Sequence, residues 1–233
     1  MRLHGAIVSI ALALTGCVRD SVEAPVLGPI ETVTMGGEQD LWQPGTHYVL
    51  VQPFAETSVS EGKVTVVEFF WYGSPQSYTL DPHLVLWNRR KPKNVEFRRV
   101  PTTWGQYDRP HARLFYTLEA LGRNDLHGAI FDTIHAKGNR LANNDEQQTL
   151  QLQLQFAKEH GIAAKKFLDA YNSSVVAERL SVAEQLLQHY QVDKLPTLIV
   201  NGKYKTDVTR TGRSGEMLVR LISDLAASES AVD

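Results

Sequence analysis

A long stretch with only helical periodicity lies between two segments rich in strand-forming residues, and this order constrains the fold more than any other feature. From Pro110 to about Gln191, apolar residues recur every three or four positions, and no strand pattern interrupts them. Gly122, Gly138 and Gly161 mark the ends of successive helices in this stretch. The sequence therefore predicts one α/β domain with an all-helical subdomain inserted after its third strand.

The strand-forming segments carry runs of β-branched and aromatic residues. The run Val64–Phe70 is typical of a strand buried on both faces, and Glu68 is its one ionisable residue. Asn201-Gly202, which separates two further runs, predicts a two-residue hairpin turn. The predicted strands span residues 48–51, 64–70, 95–100, 197–200 and 203–205, and a last helix runs from residue 212 to about residue 227.

A helix is predicted to begin directly after the second strand. Ser74 suits the N-cap position, because its hydroxyl can accept a hydrogen bond from a free backbone N–H. Pro75 suits the first helical position, where its missing N–H costs nothing. Pro82 lies within the predicted helix and is expected to kink it or to break it into two pieces.

The N-terminus has the pattern of an export signal. Arg2 precedes an apolar run that is too short to span a bilayer, and the run ends in the segment LTGC, which closes at Cys17. This ending resembles the bacterial lipobox, although an ordinary signal peptide with a chance cysteine would look similar. We expect residues 1–17 to be a lipoprotein signal peptide, Cys17 to carry the lipid, and residues 18–42 to be a flexible tether.

A lipid on Cys17 would anchor the protein on the periplasmic side of a bacterial membrane. Val18 follows in place of the aspartate that is linked to inner-membrane retention in some bacteria, which favours the outer membrane. Cys17 is also the only cysteine in the chain. Once it is lipidated, no thiolate remains for disulfide exchange.

Several classes of function are excluded by composition and motif. The net charge of −2 gives no basic field for nucleic acid. The eight histidines have no paired ligand spacing, and no thiolates accompany them, so no metal site is expected. Ser74 is not in a G-x-S-x-G elbow, and there is no glycine-rich phosphate loop.

Three segments, in order along the chain, resemble the DsbA family of periplasmic disulfide oxidoreductases. They are VEFFWYGSPQSY, EALGRNDLHGAIFDTIHAKGNRL and FLDAYNSSVVAERLSVAEQLLQHYQVDKLPTLIVNGKY. The resemblance implies a thioredoxin-like fold made of residues 43–106 and 192–228, with residues 107–191 as the inserted helical subdomain. It covers nearly all of the chain after the tether.

The sequence departs from this family at the centre of its reactive turn. The family pattern reads EFF followed by CPHC, whereas this chain has Ser74, Pro75, Gln76 and Ser77. A serine hydroxyl stays protonated near neutral pH and forms no disulfide. The family's reaction therefore cannot be carried over to this chain, even where a family label would name it a disulfide oxidoreductase.

Other positions do match the family. Glu68 matches the buried acid behind the reactive turn, so it is expected either to have a raised pKa or simply to hydrogen-bond a helix end or Ser77. Pro196 matches the cis-proline that lies against the turn. Leu195 matches the residue before that proline, which in the family helps to choose the partner. Together with Thr197 these residues are predicted to contact a bound polypeptide.

Aromatic residues around the turn have two readings. Trp71 and Tyr72, with Tyr78 and Trp104, could floor an apolar groove that binds a partner. Aromatic residues that follow a strand are more often plain core.

Two functions fit the pattern, from different classes. The first is a chaperone-like or assembly role, in which the protein binds extended or unfolded periplasmic polypeptides without redox chemistry or cofactor. The second is an enzyme, because SPQSY also resembles the turn of kappa-class glutathione transferases. On that reading Ser74 would stabilise the thiolate of bound glutathione.

Overall fold

The computed structural model describes residues 41–52 and 63–230. Short 3-10 helices, at Asn124–Leu126 and Val208–Thr211, supplement the main elements. The strands and helices in chain order are β1 (Val49–Leu50), β2 (Val64–Phe70), α1 (Pro75–Arg90), β3 (Val95–Pro101), α2 (Asp108–Ala120), α3 (His127–His135), α4 (Glu146–Glu159), α5 (Ala164–Tyr171), α6 (Ser174–His189), β4 (Thr197–Val200), β5 (Tyr204–Asp207) and α7 (Gly215–Ser230).

The five strands form one mixed sheet in the order β1-β5-β4-β2-β3. β2 and β3 run parallel, with Glu68 beside Arg99, whereas β4 is antiparallel to both β2 and β5. The predicted hairpin at Asn201-Gly202 therefore joins β4 to β5. The order of elements matches the prediction, with five helices between β3 and β4.

Helices cover both faces of the sheet, which explains why β2 reads as a continuous apolar run. Val66 on β2 packs with residues of α1 and α7, whereas its neighbour Val67 packs with residues of α2 and α6. All seven residues of β2 are buried. A third apolar cluster, which includes Phe131 and Phe167, lies within the helical block and reaches β2 at Phe70.

Pro82 does not break α1 into two pieces. The helix is continuous over 16 residues, and Pro82 lies on its exposed side. Leu80 and Leu84 flank the proline and are both buried in the core between α1, α7 and the sheet. This packing holds the two halves of the helix together where the proline removes one backbone hydrogen bond.

The folded domain begins earlier than the predicted tether allows. Trp42, placed at the end of the tether by the sequence, is only 7% exposed and packs in the core beside α7. Its indole Nε1 donates a 2.7 Å hydrogen bond to Asp224. The predicted signal peptide, Cys17 and tether residues 18–40 lie outside the described residues.

Within residues 41–52 and 63–230, no helix has both the length and the apolar character that crossing a bilayer requires.

Candidate functional site

The turn between β2 and α1 has the predicted capped geometry. Ser74 adopts extended backbone angles, and its Oγ accepts a 3.2 Å hydrogen bond from the N–H of Ser77. Pro75 is the first helical residue. The carbonyl of Ser74 accepts a second hydrogen bond, of 3.0 Å, from the N–H of Tyr78. The chain thus caps α1 with the residue that stands at the first cysteine position of the family pattern.

The four residues of the turn differ in exposure. Pro75 and Gln76 are exposed, whereas Ser74 is 5% exposed and Ser77 is fully buried. The hydroxyl of Ser77 has no hydrogen-bond partner among the described residues. The Oγ of Ser74 also lies 3.4 Å from Oε1 of Gln76, to which it donates. A partner approaching from solvent would therefore meet Pro75 and Gln76 first.

Gly73 is required by the way Trp71 folds back over the turn. A Cβ at this glycine would lie 2.4 Å from the indole ring of Trp71, far inside van der Waals contact. The indole Nε1 donates a 3.0 Å hydrogen bond to Nδ1 of His111. His111 has its pKa lowered to about 4 by burial, so it is neutral, and its Nε2 donates to the carbonyl of Arg140 at 2.7 Å. The helical block thereby fixes the indole of Trp71.

Tyr72 is a buried aromatic residue of the core. It is 1% exposed, which favours the second of the two readings of the sequence, a core aromatic, over the floor of an exposed groove. Its hydroxyl lies 2.9 Å from Nδ1 of His127, and its carbonyl accepts a 2.8 Å hydrogen bond from Nε2 of His135. The ring of His135 stacks on Tyr78 with centroids 4.6 Å apart. Of the four aromatic residues, Trp104 is the most exposed, at 48%.

A buried charge network lies behind the turn. Arg99 on β3 donates to Oε2 of Glu68 at 2.9 Å and to Oδ1 of Asp81 on α1 at 2.7 Å. Burial raises the pKa of Glu68 to about 7; Arg99 opposes this shift and Asp81 adds to it. Glu68 thus has the raised pKa that the sequence allowed, and its hydrogen-bond partner is Arg99.

His127 extends this network to Tyr72. Burial lowers the pKa of His127 to about 4, so the imidazole is neutral. The tautomer that suits both of its contacts accepts from Tyr72 on Nδ1 and carries its proton on Nε2, which lies 3.2 Å from Oδ1 of Asp81. Burial raises the pKa of Asp81, but His127 and Arg99 more than offset this and hold it below its usual value.

The bond between Leu195 and Pro196 is cis, as the family match implies. Thr197 is the first residue of β4 and pairs with Phe69 near the end of β2, so Pro196 directly precedes the last pair of this ladder. Pro196 and Thr197 are buried, whereas Leu195 is half-buried. No backbone hydrogen bond to Leu195 is present within the described part of the chain. Leu195 is thus the one of these three residues that a partner can contact.

Metal ligation finds no support in the described residues. In 41–52 and 63–230, no three His, Cys, Asp or Glu side chains are grouped as a metal site requires. The histidines near the turn instead hold backbone and aromatic groups in place.

Five residues of this site are not among those that the sequence predicts: Asp81, Arg99, His111, His127 and His135. Arg99 could be predicted from the sequence, because a buried glutamate in a central strand requires a cation on a neighbouring strand. The sequence contains no such feature for the three histidines. They lie on two helices far along the chain from Trp71 and Tyr72, and no spacing in the sequence links them.

The chain is similar to known proteins over most of its length. No family model matches it. The thiol:disulfide interchange protein DsbA of Pseudomonas aeruginosa is 33% identical over 202 residues, which cover 86% of this chain and 92% of that protein. The protein of the same name from Azotobacter vinelandii is 39% identical over 168 residues, which cover 72% of each chain.

Solved structures agree with this similarity. The crystal structure of Pseudomonas aeruginosa DsbA superposes with a TM-score of 0.74 at 34% identity, covering 83% of this chain and 97% of that one. The oxidoreductase DsbA from Xylella fastidiosa superposes with a TM-score of 0.73 at 29% identity, covering 82% and 99%. These superpositions confirm the predicted thioredoxin-like fold with its inserted helical subdomain.

Proposed function

Because the chain belongs to the DsbA family of thiol:disulfide interchange proteins but has serine at both cysteine positions, we propose that it binds extended or unfolded polypeptides without redox chemistry. Its one cysteine, Cys17, lies far from the turn in sequence. Neither Ser74 nor Ser77 can form the disulfide on which thiol exchange depends. The proposed role is chaperone-like or that of an assembly factor.

One observation carries the proposal: the turn has serine at both cysteine positions, but its helix cap, its exposed residues and the cis-proline segment are all present. Ser74 still caps α1, and Pro75 and Gln76 still face solvent. Leu195, next to the cis-proline, offers a half-buried apolar side chain and a backbone without a described partner. An extended segment can pair with such backbone groups and place a side chain against Leu195.

We further propose that the protein works on the periplasmic side of a bacterial membrane and is anchored there by a lipid on Cys17. Of the two membranes, the outer one is favoured. The segment that ends at Cys17 supports this, and the polypeptides it meets there would be exported ones. A cysteine-free partner suits the role as well as a cysteine-containing one, because binding needs no mixed disulfide.

The alternative, a kappa-type glutathione enzyme, has less support from the geometry. Its serine must donate a hydrogen bond to the sulfur of glutathione. The hydroxyl of Ser74 is nearly buried, caps the N–H of Ser77 and donates toward Gln76. This hydroxyl would have to break its hydrogen bond to Gln76 before it could donate one to a thiolate.

Two-dimensional NMR titrations of the full-length chain test both functions. With a cysteine-free unfolded polypeptide, we expect shifts at Gly73–Ser77 and Leu195–Thr197. With reduced glutathione at millimolar concentration, we expect none. Shifts at the turn with glutathione alone would favour the enzyme, and silence of the turn with the polypeptide would end the binding proposal.

A further inference from the structure

The outer edge of β3 carries backbone groups that pair with nothing in the described residues. β3 is the last strand of the sheet, next to β2 alone. The N–H of Thr102 donates to the carbonyl of Phe70, and the carbonyl of Asn94 accepts from Val64. These bonds show that the backbone N–H and carbonyl groups of the even-numbered residues in this segment point toward β2. Backbone groups alternate in direction along a parallel ladder, so the N–H and carbonyl groups of the odd-numbered residues point away from the sheet.

Three odd-numbered residues of β3 have both an outward N–H and an outward carbonyl. Those of Val95 are occupied, by the carbonyl of Pro92 and by Nζ of Lys91. Those of Phe97 and Arg99 have no hydrogen-bond partner in the part of the chain that the structure describes. These two residues thus present two donors and two acceptors, spaced about 6.6 Å apart along the strand.

A cleft of about 850 Å³ runs beside this edge. Most of its lining residues come from β3, α2 and α6, and Tyr72 and His127 also line it. Phe115, Val182 and Leu186 give the helical wall an apolar character. The turn residues Ser74–Ser77 and the segment Leu195–Thr197 do not line it. The cleft is therefore a surface distinct from the one proposed above.

The charges along the cleft are of both signs and largely neutralise one another. Arg98 on β3 pairs with Glu96 at 2.7 Å, and Arg179 on α6 pairs with Glu119 on α2 at 3.0 Å. A strongly acidic or strongly basic partner would gain little from such walls. A polypeptide whose side chains alternate between apolar and charged suits both the walls and the unpaired backbone of β3.

We propose that this cleft binds an extended polypeptide segment, which adds to the sheet as a further strand beside β3. The inference rests on the proposed function in its choice of partner, but it uses different residues. Main-chain hydrogen bonds to Phe97 and Arg99 supply affinity without sequence preference, as strand addition does elsewhere. Because α2 and α6 lie along one side of the edge, a single strand can reach β3 more easily than a second sheet can.

The test uses the full-length chain and a short peptide in which valine alternates with lysine and glutamate. Amide hydrogen exchange is measured residue by residue with and without the peptide. We expect the amides of Phe97 and Arg99 to become protected on binding. Peptide N-methylated at the residues that face β3 should bind at least roughly tenfold more weakly, because two hydrogen bonds are lost. N-methylation at the intervening residues is the matched control and should leave affinity unchanged.

The outcomes separate this inference from the proposed function. Changes at Gly73–Ser77 and Leu195–Thr197 without protection of Phe97 and Arg99 would overturn the inference and leave the proposed function standing. Equal affinities for the two methylated peptides would overturn it as well. Protection of both amides before peptide is added would also overturn it. In that case the edge is already filled, by a second copy if sedimentation shows a dimer or by the chain itself if it shows a monomer.

Discussion

Ser74 and Ser77 carry the same hydroxyl three positions apart, but the fold uses the two hydroxyls differently. Ser74 caps α1 by accepting a hydrogen bond from a free backbone N–H. The hydroxyl of Ser77 is buried without a described partner. A capping hydrogen bond stabilises a helix, whereas an unpaired buried hydroxyl costs free energy. The two serines therefore make opposite contributions to stability.

This difference gives a matched pair of substitutions. Ser74→Ala should lower the free energy of unfolding by about 1 kcal/mol, because the cap is lost. Ser77→Ala should leave it unchanged or raise it by up to about 1 kcal/mol, because an unsatisfied buried group is removed. Urea unfolding of the two variants beside the wild type measures both effects. Equal destabilisation by the two substitutions would show that Ser77 is hydrogen-bonded after all.

Glu68 makes stability depend on pH in a defined window. The carboxyl loses its proton near pH 4.5 in the unfolded chain but only near pH 7 in the folded one. The folded state therefore holds the extra proton between these values, and stability falls as pH rises through them. Above pH 7 the loss is complete and amounts to about 3 kcal/mol at most.

Replacing the carboxyl removes this dependence. Glu68→Gln should lose less stability than the wild type between pH 5 and pH 8, because glutamine does not titrate. The measurement is the midpoint of urea unfolding at both pH values for each protein. The explanation fails if both proteins lose the same stability over this range.

At the scale of elements, Arg99 joins three of them. It lies on β3 and pairs with Glu68 on β2 and Asp81 on α1, and its side chain is 16% exposed. Without it, two carboxyl groups would remain buried with no cation between them. Such groups are costly, so the packing of α1 on this part of the sheet depends on one guanidinium.

Its neighbour Arg98 provides the control. Arg99→Met should destabilise the protein by about 3–5 kcal/mol, because it leaves the buried acids unpaired. Arg98→Met removes an exposed ion pair with Glu96 and should cost at most about 1 kcal/mol. Thermal unfolding of the two variants compares them directly. Similar losses for both would mean that the buried network contributes no more than a surface pair.

Elements with strong local signals could be predicted from the sequence, and those set by distant contacts could not. The apolar run of β2, the Ser74-Pro75 helix start and the Asn201-Gly202 turn each carry their own signal, and all three were found. The sequence predicts a tether that includes Trp42, because the partner of Trp42, Asp224, lies at the other end of the chain. The sequence leaves both readings of Tyr72 open, because nothing local reveals the helices that bury it.

The same limit explains the outcome at Pro82. A proline within a helix has a local cost that the sequence shows. The packing of Leu80 and Leu84 that outweighs this cost becomes visible only in the folded protein.

At the scale of the whole molecule, the scaffold of a disulfide oxidoreductase persists around a turn that lacks sulfur. The helix N-terminus that would stabilise a thiolate is still formed, with Ser74 at its cap. The superposition on Pseudomonas aeruginosa DsbA extends over 83% of the chain. If only the sulfur is missing, restoring it should restore the chemistry.

The double substitution Ser74→Cys/Ser77→Cys tests this expectation. In a background with Cys17→Ser, which removes the only native thiol, the double variant should form an internal disulfide and oxidise a reduced peptide. The wild type should show no such activity above background. A disulfide-exchange assay measures both proteins. An inactive double variant would show that the turn has diverged beyond its two serines.

On the proposed function, polypeptide binding at the turn needs no sulfur. The most direct measurement is the affinity of the full-length chain for a cysteine-free unfolded polypeptide, by fluorescence anisotropy. Leu195→Asn is compared with Leu50→Asn, a matched change at a site that is 68% exposed and lies on β1. We predict saturable binding that Leu195→Asn weakens severalfold and Leu50→Asn leaves unchanged. No binding at millimolar polypeptide, or equal affinities for the two variants, would show that the turn and Leu195 do not form a polypeptide-binding site.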